Sequence, residues 1–118
     1  MEKVYSRPES LDISNNKFCP GCMHSTFIKI CMQVIDELGI GDRAVVIQPI
    51  GCANNSSPCI AIDQGCALHG RAPAYATGLK RCHPESIVFT YQGDGDLSSI
   101  GFAEVMHAAN RGENICVF

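Results

Sequence analysis

The sequence has no tryptophan, three tyrosines and five phenylalanines in 118 residues, and only 18% of it is charged. Its net charge of −3, with no basic stripe, gives no footing for nucleic acid, which is held by clustered Lys and Arg. No apolar run approaches the ~18–20 residues that a membrane helix needs, and Met1-Glu2-Lys3 does not open a secretory signal. Internal repeats and low-complexity stretches are also missing. These absences leave a globular chain with a cytoplasmic location as the expectation, and with neither nucleic acid nor a membrane as partner. At 46% hydrophobic, the chain holds material for one domain or part of one.

Cysteine is what the sequence has in excess, with eight residues. Without an export signal, and with strands and helices alternating, that number points to metal or redox use rather than disulfides. Met1 to Lys17 has no period and reads as an N-terminal arm; a domain begins at about Phe18. After Cys19-Pro20-Gly21-Cys22, the residues Phe27, Ile30, Cys31, Val34, Ile35 and Leu38 recur at the spacing of one buried helix face. Ser25 or Thr26 can cap its start and Gly39 its end. Ala44 to Ile50 is a buried strand, with Gly51 to Pro58 as the loop at its carboxyl end. Cys59 to Leu68 is irregular. A helix runs from about Pro73 to Cys82, with Ala74, Ala76 and Gly78 as its close-packing side. A strand over Ser86–Tyr91 and a helix from about Ser98 to Asn110 follow, and Asn114–Phe118 reads as a further buried strand. Successive strand–helix units predict an α/β fold, a mostly parallel sheet with helices on both faces. Since that last strand ends without a turn or cap, the expectation is a truncated domain whose continuation is missing.

The chain is organised around Gln92-Gly93-Asp94-Gly95-Asp96. A buried strand, a tight glycine turn and a helix N-terminus in succession make an anion site, because unpaired amides and the helix dipole face the turn. Phosphates suit those amides, and Asp94 is placed to hold the divalent cation that phosphates bring. Asp96 is positioned to cap the helix or to line the same pocket. Glu104 and Glu113 read as a solvated face.

Cys19 and Cys22, with two residues between them before a helix, suit an iron–sulfur ligand pair, half a zinc site or a redox dithiol, and the spacing alone does not choose. Cys52, at a strand end, offers a third thiolate, and [4Fe–4S] clusters take four. Cys31 belongs to the apolar helix face. Cys59, Cys66, Cys82 and Cys116 read as small hydrophobes. His69-Gly70-Arg71 places an imidazole and a cation just before a helix. His24, His83 and His107 read as structural or surface groups.

Taken together and in order, Cys19-Pro20-Gly21-Cys22-Met23-His24, Ile50-Gly51-Cys52, His69-Gly70-Arg71-Ala72-Pro73-Ala74 and Gln92-Gly93-Asp94-Gly95-Asp96 resemble the β subunit of the 2-oxoacid:ferredoxin oxidoreductases. That subunit binds thiamine diphosphate. The resemblance runs from about Phe18 to the end and implies the N-terminal part of a thiamine-diphosphate-binding domain. It implies oxidative decarboxylation of a 2-oxoacid to an acyl-CoA and CO₂, with branched-chain 2-oxoisovalerate as the first expectation and 2-oxoglutarate or pyruvate as alternatives. Electrons would pass through a [4Fe–4S] cluster to ferredoxin, in an oxygen-free setting. Asp94 would bind Mg²⁺; Gly95 and Asp96 would contact the diphosphate. Ile50, Gly51, Cys52 and Ala53 would line the cofactor, with His69 nearby. Cys19, Cys22 and Cys52 would be cluster ligands, the fourth cysteine and the remaining Mg²⁺ ligands lying past Phe118. An α subunit, with γ and δ subunits in some members, would complete the enzyme, and this chain alone would be inactive. Met23 stands where the family usually has glycine, and Ala53 where a serine is common; neither removes a ligand. Two rival readings are a small non-catalytic metal or dithiol module using Cys19 and Cys22, and an interaction subunit without cofactor.

Overall fold

The computed structural model describes residues 4–14 and 16–118. Its centre is a four-stranded sheet in the order β2-β1-β3-β4, formed by β1 (Ala44–Gln48), β2 (Asp63–Cys66), β3 (Ile87–Thr90) and β4 (Cys116–Val117). Every pairing is parallel, with Val46 opposite Phe89 and Thr90 opposite Val117. Side chains alternate across β1 and β3 as the pleat requires. Ala44, Val46 and Phe89 join Ile28, Met32 and Ile35 of helix α1 (Met23–Leu38) in one core. Val45, Ile47 and Val88 pack on the opposite side with Ala72, Ala76 and Leu79 of helix α2 (Ala72–Cys82). Helix α3 (Phe102–Asn110) lies beside α2. The expected parallel sheet with helices on both faces is therefore present.

Several local expectations are revised. The α1 face turned to the sheet is Ile28-Met32-Ile35, whereas Ile30, Val34 and Leu38 are 55%, 45% and 63% exposed. Apolar residues cover more than half of this helix, so its periodicity allows two stripes and only packing chooses between them. Ile30 and Val34 of the outward stripe and Phe118 line an apolar groove of about 340 Å³ beside β4. Gly39 ends α1 in the left-handed conformation, as expected. The helix starts at Met23, however, and Ser25 donates its hydroxyl to the Cys22 carbonyl rather than capping an amide. The tightly packed side of α2 is Ala72, Pro73, Ala76 and Thr77, not Ala74 and Gly78. The irregular stretch after Cys59 contains β2, which its residues Asp-Gln-Gly-Cys do not announce. Asn114–Phe118 yields only a two-residue edge strand, in which Cys116 is exposed, as is Phe118 just after it. Cys66 and Cys82 are exposed too, so of the four cysteines read as small hydrophobes only Cys59 is buried.

The N-terminal segment is fastened to this body. Asp36 of α1 accepts the Glu9 amide (2.5 Å), the Ser10 amide (3.2 Å) and the Ser10 hydroxyl (2.5 Å). Leu11, 6% exposed, makes an antiparallel bridge to Ile60 and enters the α1 core. Met1, Glu2, Lys3 and Asn15 lie outside the described residues.

Candidate functional site

All four strands point the same way, so the segments that follow them gather at one edge of the sheet. Beyond β1 lies Pro49 to Cys52, beyond β2 the His69-Gly70-Arg71 segment, and beyond β3 Tyr91 to Asp96. The chain leaves β1 through a 3₁₀ helix (Cys52–Cys59) packed on α1, but leaves β3 towards the face of α2 and α3. Neighbouring strands whose exits diverge open a crevice between their carboxyl ends, where ligands of parallel sheets sit. Gln48, almost fully buried at the end of β1, fixes one wall by accepting the Ser56 hydroxyl (2.9 Å) and donating to Gln64 (3.2 Å).

The other wall begins with Gly93-Asp94-Gly95. A Cβ added at Gly93 or Gly95 would meet nothing within 4 Å, so the turn faces open space. Asp94 is exposed and begins the helical turn; its own side chain caps nothing. The first amides of a helix have no partner within it, and an anion seated over the turn can take them. The following segment is a π-helical turn (Gly95–Ile100), not the single α-helix expected from about Ser98: the Gly101 amide reaches back five residues to the Asp96 carbonyl at 2.9 Å.

Asp96 departs from its expected role. Its residue is 3% exposed, and its carboxylate neither caps the helix nor opens to the crevice. Oδ1 accepts the Gly70 amide at 2.8 Å and is hydrogen-bonded to Nδ1 of His69. Oδ2 accepts from Nε2 of Gln92, whose Oε1 in turn accepts the Thr90 hydroxyl at 2.9 Å. With both oxygens engaged, only the backbone of Asp96 remains for a diphosphate. Two glycines allow this junction. Gly70 has φ +79°, and a Cβ there would lie 2.9 Å from the Gly101 amide; a Cβ on Gly101 would lie 2.4 Å from the Asp96 carbonyl. The His-Gly-Arg segment thus sits directly on the turn. Arg71 pairs with Glu104, which is largely buried rather than solvated, its Oε2 lacking a partner among the described residues. Glu113 is likewise covered: hydrogen bonds from Arg111 (2.7 Å) and then Arg81 (2.5 Å), aided by their charges, hold its carboxyl below the usual range.

Of the other expected site residues, Ile50, Gly51 and Cys52 are exposed at the end of β1, Ile50 by 44%. Ala53 buries its methyl in the α1 core, leaving only its backbone for a ligand. His69 keeps 41% of its side chain exposed beside the turn. Thr90, and Gln92 at the head of the motif, are polar residues to which the sequence reading gave no role. Their signal was their place, a hydrogen-bonding pair at the end of an otherwise apolar strand.

The cysteines are arranged otherwise. Cys19 is exposed in its turn, Cys22 half-buried at the start of α1, and Cys52 exposed. Among the described residues, no three His, Cys, Asp or Glu side chains converge as a metal site. Cys22 lies near Tyr91, whose hydroxyl is hydrogen-bonded to Nδ1 of His24; Phe18 stacks on His24, and Phe27 on Tyr91 at 4.5 Å between centroids. Burial pushes the Tyr91 hydroxyl up to about 12, the nearby Cys22 and Cys31 adding to the effect. His24, two residues past the cysteine pair, is thereby tied to the strand end before the turn. An exposed carboxylate between open glycines fits a cation with a diphosphate. Three separate thiols do not by themselves make a four-thiolate cluster site.

Comparison with known proteins bears on this geometry. Residues 39–118 match the family model of the thiamine pyrophosphate enzyme C-terminal TPP-binding domain. A ketoisovalerate oxidoreductase subunit VorA of Methanothermobacter thermautotrophicus is 42% identical over 99% of this chain and 27% of its own length. A 2-oxoacid:ferredoxin oxidoreductase subunit beta of Sulfolobus is 35% identical, over 86% of this chain and 34% of its own length. A 2-oxoglutarate:ferredoxin oxidoreductase from Magnetococcus marinus, solved with 2-oxoglutarate, coenzyme A and succinyl-CoA bound, superposes with a TM-score of 0.88 at 30% identity, covering 97% of this chain and 40% of that one. The chain spans between 27% and 40% of the length of these relatives.

Proposed function

The chain belongs to the thiamine pyrophosphate enzymes, through their C-terminal TPP-binding domain, and from that membership we propose that it serves in the β subunit of a 2-oxoacid:ferredoxin oxidoreductase. The observation that carries the reading is the exposed Asp94 between two open glycines, at a helix start on the carboxyl edge of a parallel sheet. When bound, thiamine diphosphate supplies the electron sink for decarboxylating a 2-oxoacid.

The residues present would divide that work as follows. Asp94 holds Mg²⁺, and the amides of Gly95 and Asp96 hold the diphosphate beside it. Gly93 and Gly95 let phosphate approach the backbone where a side chain would stand in the way. Ile50 offers apolar surface and Gly51, Cys52 and the Ala53 backbone polar surface on the facing wall, and His69 presents its imidazole alongside. Cys19, Cys22 and Cys52 are assigned to the [4Fe–4S] cluster, although among the described residues they do not converge. Substrate, coenzyme A, ferredoxin and a partner α subunit belong to the same proposal. The VorA relative favours a branched-chain 2-oxoacid, while the 2-oxoglutarate enzymes keep that substrate in view. These relatives favour the oxidoreductase over a small metal or dithiol module. Among the described residues, no helix is long and apolar enough to cross a membrane.

The test is to purify the chain with its partner subunits, without oxygen, and measure thiamine diphosphate, magnesium, iron and acid-labile sulfide. Stoichiometric thiamine diphosphate and iron are expected; zinc with neither would overturn the reading. Asp94→Ala should lower Mg-diphosphate affinity by more than the ~10–100-fold typical of a residue outside the ligand shell. Unchanged affinity in that variant would mean the metal lies elsewhere.

A further inference from the structure

Resting on the reading of the turn as a diphosphate site, we infer that Asp96 is a positioning residue that acts through His69. Its carboxylate is buried and receives hydrogen bonds from the His69 ring, the Gly70 amide and the Gln92 amide. An anion so enclosed is held by its own chain, because burying a carboxylate is tolerable only when donors saturate it. Three donors occupy three of its four lone-pair positions, and with the residue 3% exposed little of the carboxylate is open to a metal. His69, by contrast, is part-exposed, and no described residue reaches its Nε2. Fixing Nδ1 sets the plane of the ring and leaves Nε2 as the one ring atom able to meet a ligand. The Gly70–Gly101 contact clamps the segment carrying His69 to the turn carrying Asp94, so the orientation of Nε2 relative to the turn is built into the backbone.

The relay also has a reversible sense. The Gly70 amide can only donate, so an asparagine at position 96 must keep its oxygen towards Gly70 and His69. Its NH₂ then faces Gln92, whose amide can turn over and accept, while the Thr90 hydroxyl rotates to accept from Gln92. Asparagine therefore substitutes for aspartate if the role is to accept hydrogen bonds. It fails if the role is to supply charge to a metal or cofactor.

The experiment uses the chain in its purified complex and reads two quantities: thiamine diphosphate affinity, and the melting temperature without cofactor. Asp96→Ala and His69→Ala are each expected to lower affinity about tenfold, and the double variant no further. Asp96→Asn should bind within about threefold of the unsubstituted protein. His69→Asn keeps a donor where Nδ1 stands but has nothing in place of Nε2. It should recover the melting temperature lost in His69→Ala while affinity stays low. Losses that multiply in the double variant would overturn the inference, as would a tenfold loss in Asp96→Asn. So would a His69→Asn variant that recovers affinity along with stability, since the contact would then be merely structural. If Asp96→Ala does not fold, the Asp96→Asn and His69→Asn results decide alone. If the unsubstituted complex binds no thiamine diphosphate, the proposed function fails on that result. The Asp96–His69 contact is then judged on melting: shared losses uphold it and additive losses overturn it.

Discussion

Asp96 and Cys22 both stand at helix starts on the carboxyl edge of the sheet, and the chain treats them in opposite ways. Asp96 is buried with three donors on its carboxylate, all from within the chain. Cys22 caps α1 without a side-chain capping hydrogen bond, and Cys19 and Cys52 are exposed and do not converge with it on a metal site among the described residues. The difference follows from the chemistry of the groups. A carboxylate cannot be desolvated unless donors surround it, so the turn must be finished by the fold itself. A thiol loses little by burial or exposure and can wait for a partner that is not part of the polypeptide. The turn side of the candidate site is preorganised by the chain's own donors; the cysteine side is not.

Two glycines put this contrast to the sharpest test. Gly70 and Gly21 have nearly the same left-handed backbone, φ +79° and +76°, but a Cβ on Gly70 would strike the backbone of Gly101 whereas one on Gly21 would meet nothing within 4 Å. Gly21→Ala should cost only the conformational term, about 1–2 kcal/mol. Gly70→Ala adds overpacking of about 1–3 kcal/mol and should push the His69 segment off the turn. Urea unfolding of the two variants measures the difference. Equal losses would mean the cysteine turn is as tightly built as the other, and the comparison would collapse.

The sequence made the two sides unequally legible. The turn and its flanking strand were readable because β-branched residues, glycines and a helical period follow one another locally. The parallel sheet with helices on both faces was readable from the same alternation. Strand β2 was not, since its stability comes from pairing with β1 rather than from Asp63-Gln64-Gly65-Cys66. The partner of Asp96 was hidden for a related reason. His69 lies 27 residues away, and only the strand order and the Gly70–Gly101 contact bring the two together. A buried aspartate with internal partners and an exposed aspartate look alike in a Gly-Asp-Gly-Asp motif.

Tyr91 joins the two sides, and its removal should loosen only one. Tyr91→Phe leaves His24 without its hydrogen bond and should cost about 1 kcal/mol. Amide exchange should quicken around residues 18–24, while 92–96 keep their protection. The same residue has a pH signature. Its hydroxyl, raised to about 12 in the fold, ionises near 10 in the unfolded chain, so its contribution to stability is complete below pH 10 and fades as pH rises towards 12. The loss should amount to roughly 2 kcal/mol by pH 12, and Tyr91→Phe should flatten that limb of the stability profile. Faster exchange at 92–96 in the variant would show that the turn leans on the cysteine side after all.

The smallest effect has the opposite sign. Cys22 occupies the cap of α1 with extended backbone angles, φ −68° and ψ 130°, the geometry in which serine, threonine, aspartate or asparagine would hold a free amide. The cysteine makes no such bond. Serine has nearly the same shape and supplies the missing acceptor, so Cys22→Ser should stabilise the cofactor-free chain by about 0.5–1 kcal/mol, seen as a higher urea midpoint. The same change removes a thiolate, and iron content in the assembled complex should fall with it. A stabilised variant that loses iron would identify Cys22 as a residue held at its position by chemistry against the preference of the helix. A destabilised variant that retains iron would make it a packing residue, and the contrast with Asp96 would lose its second term.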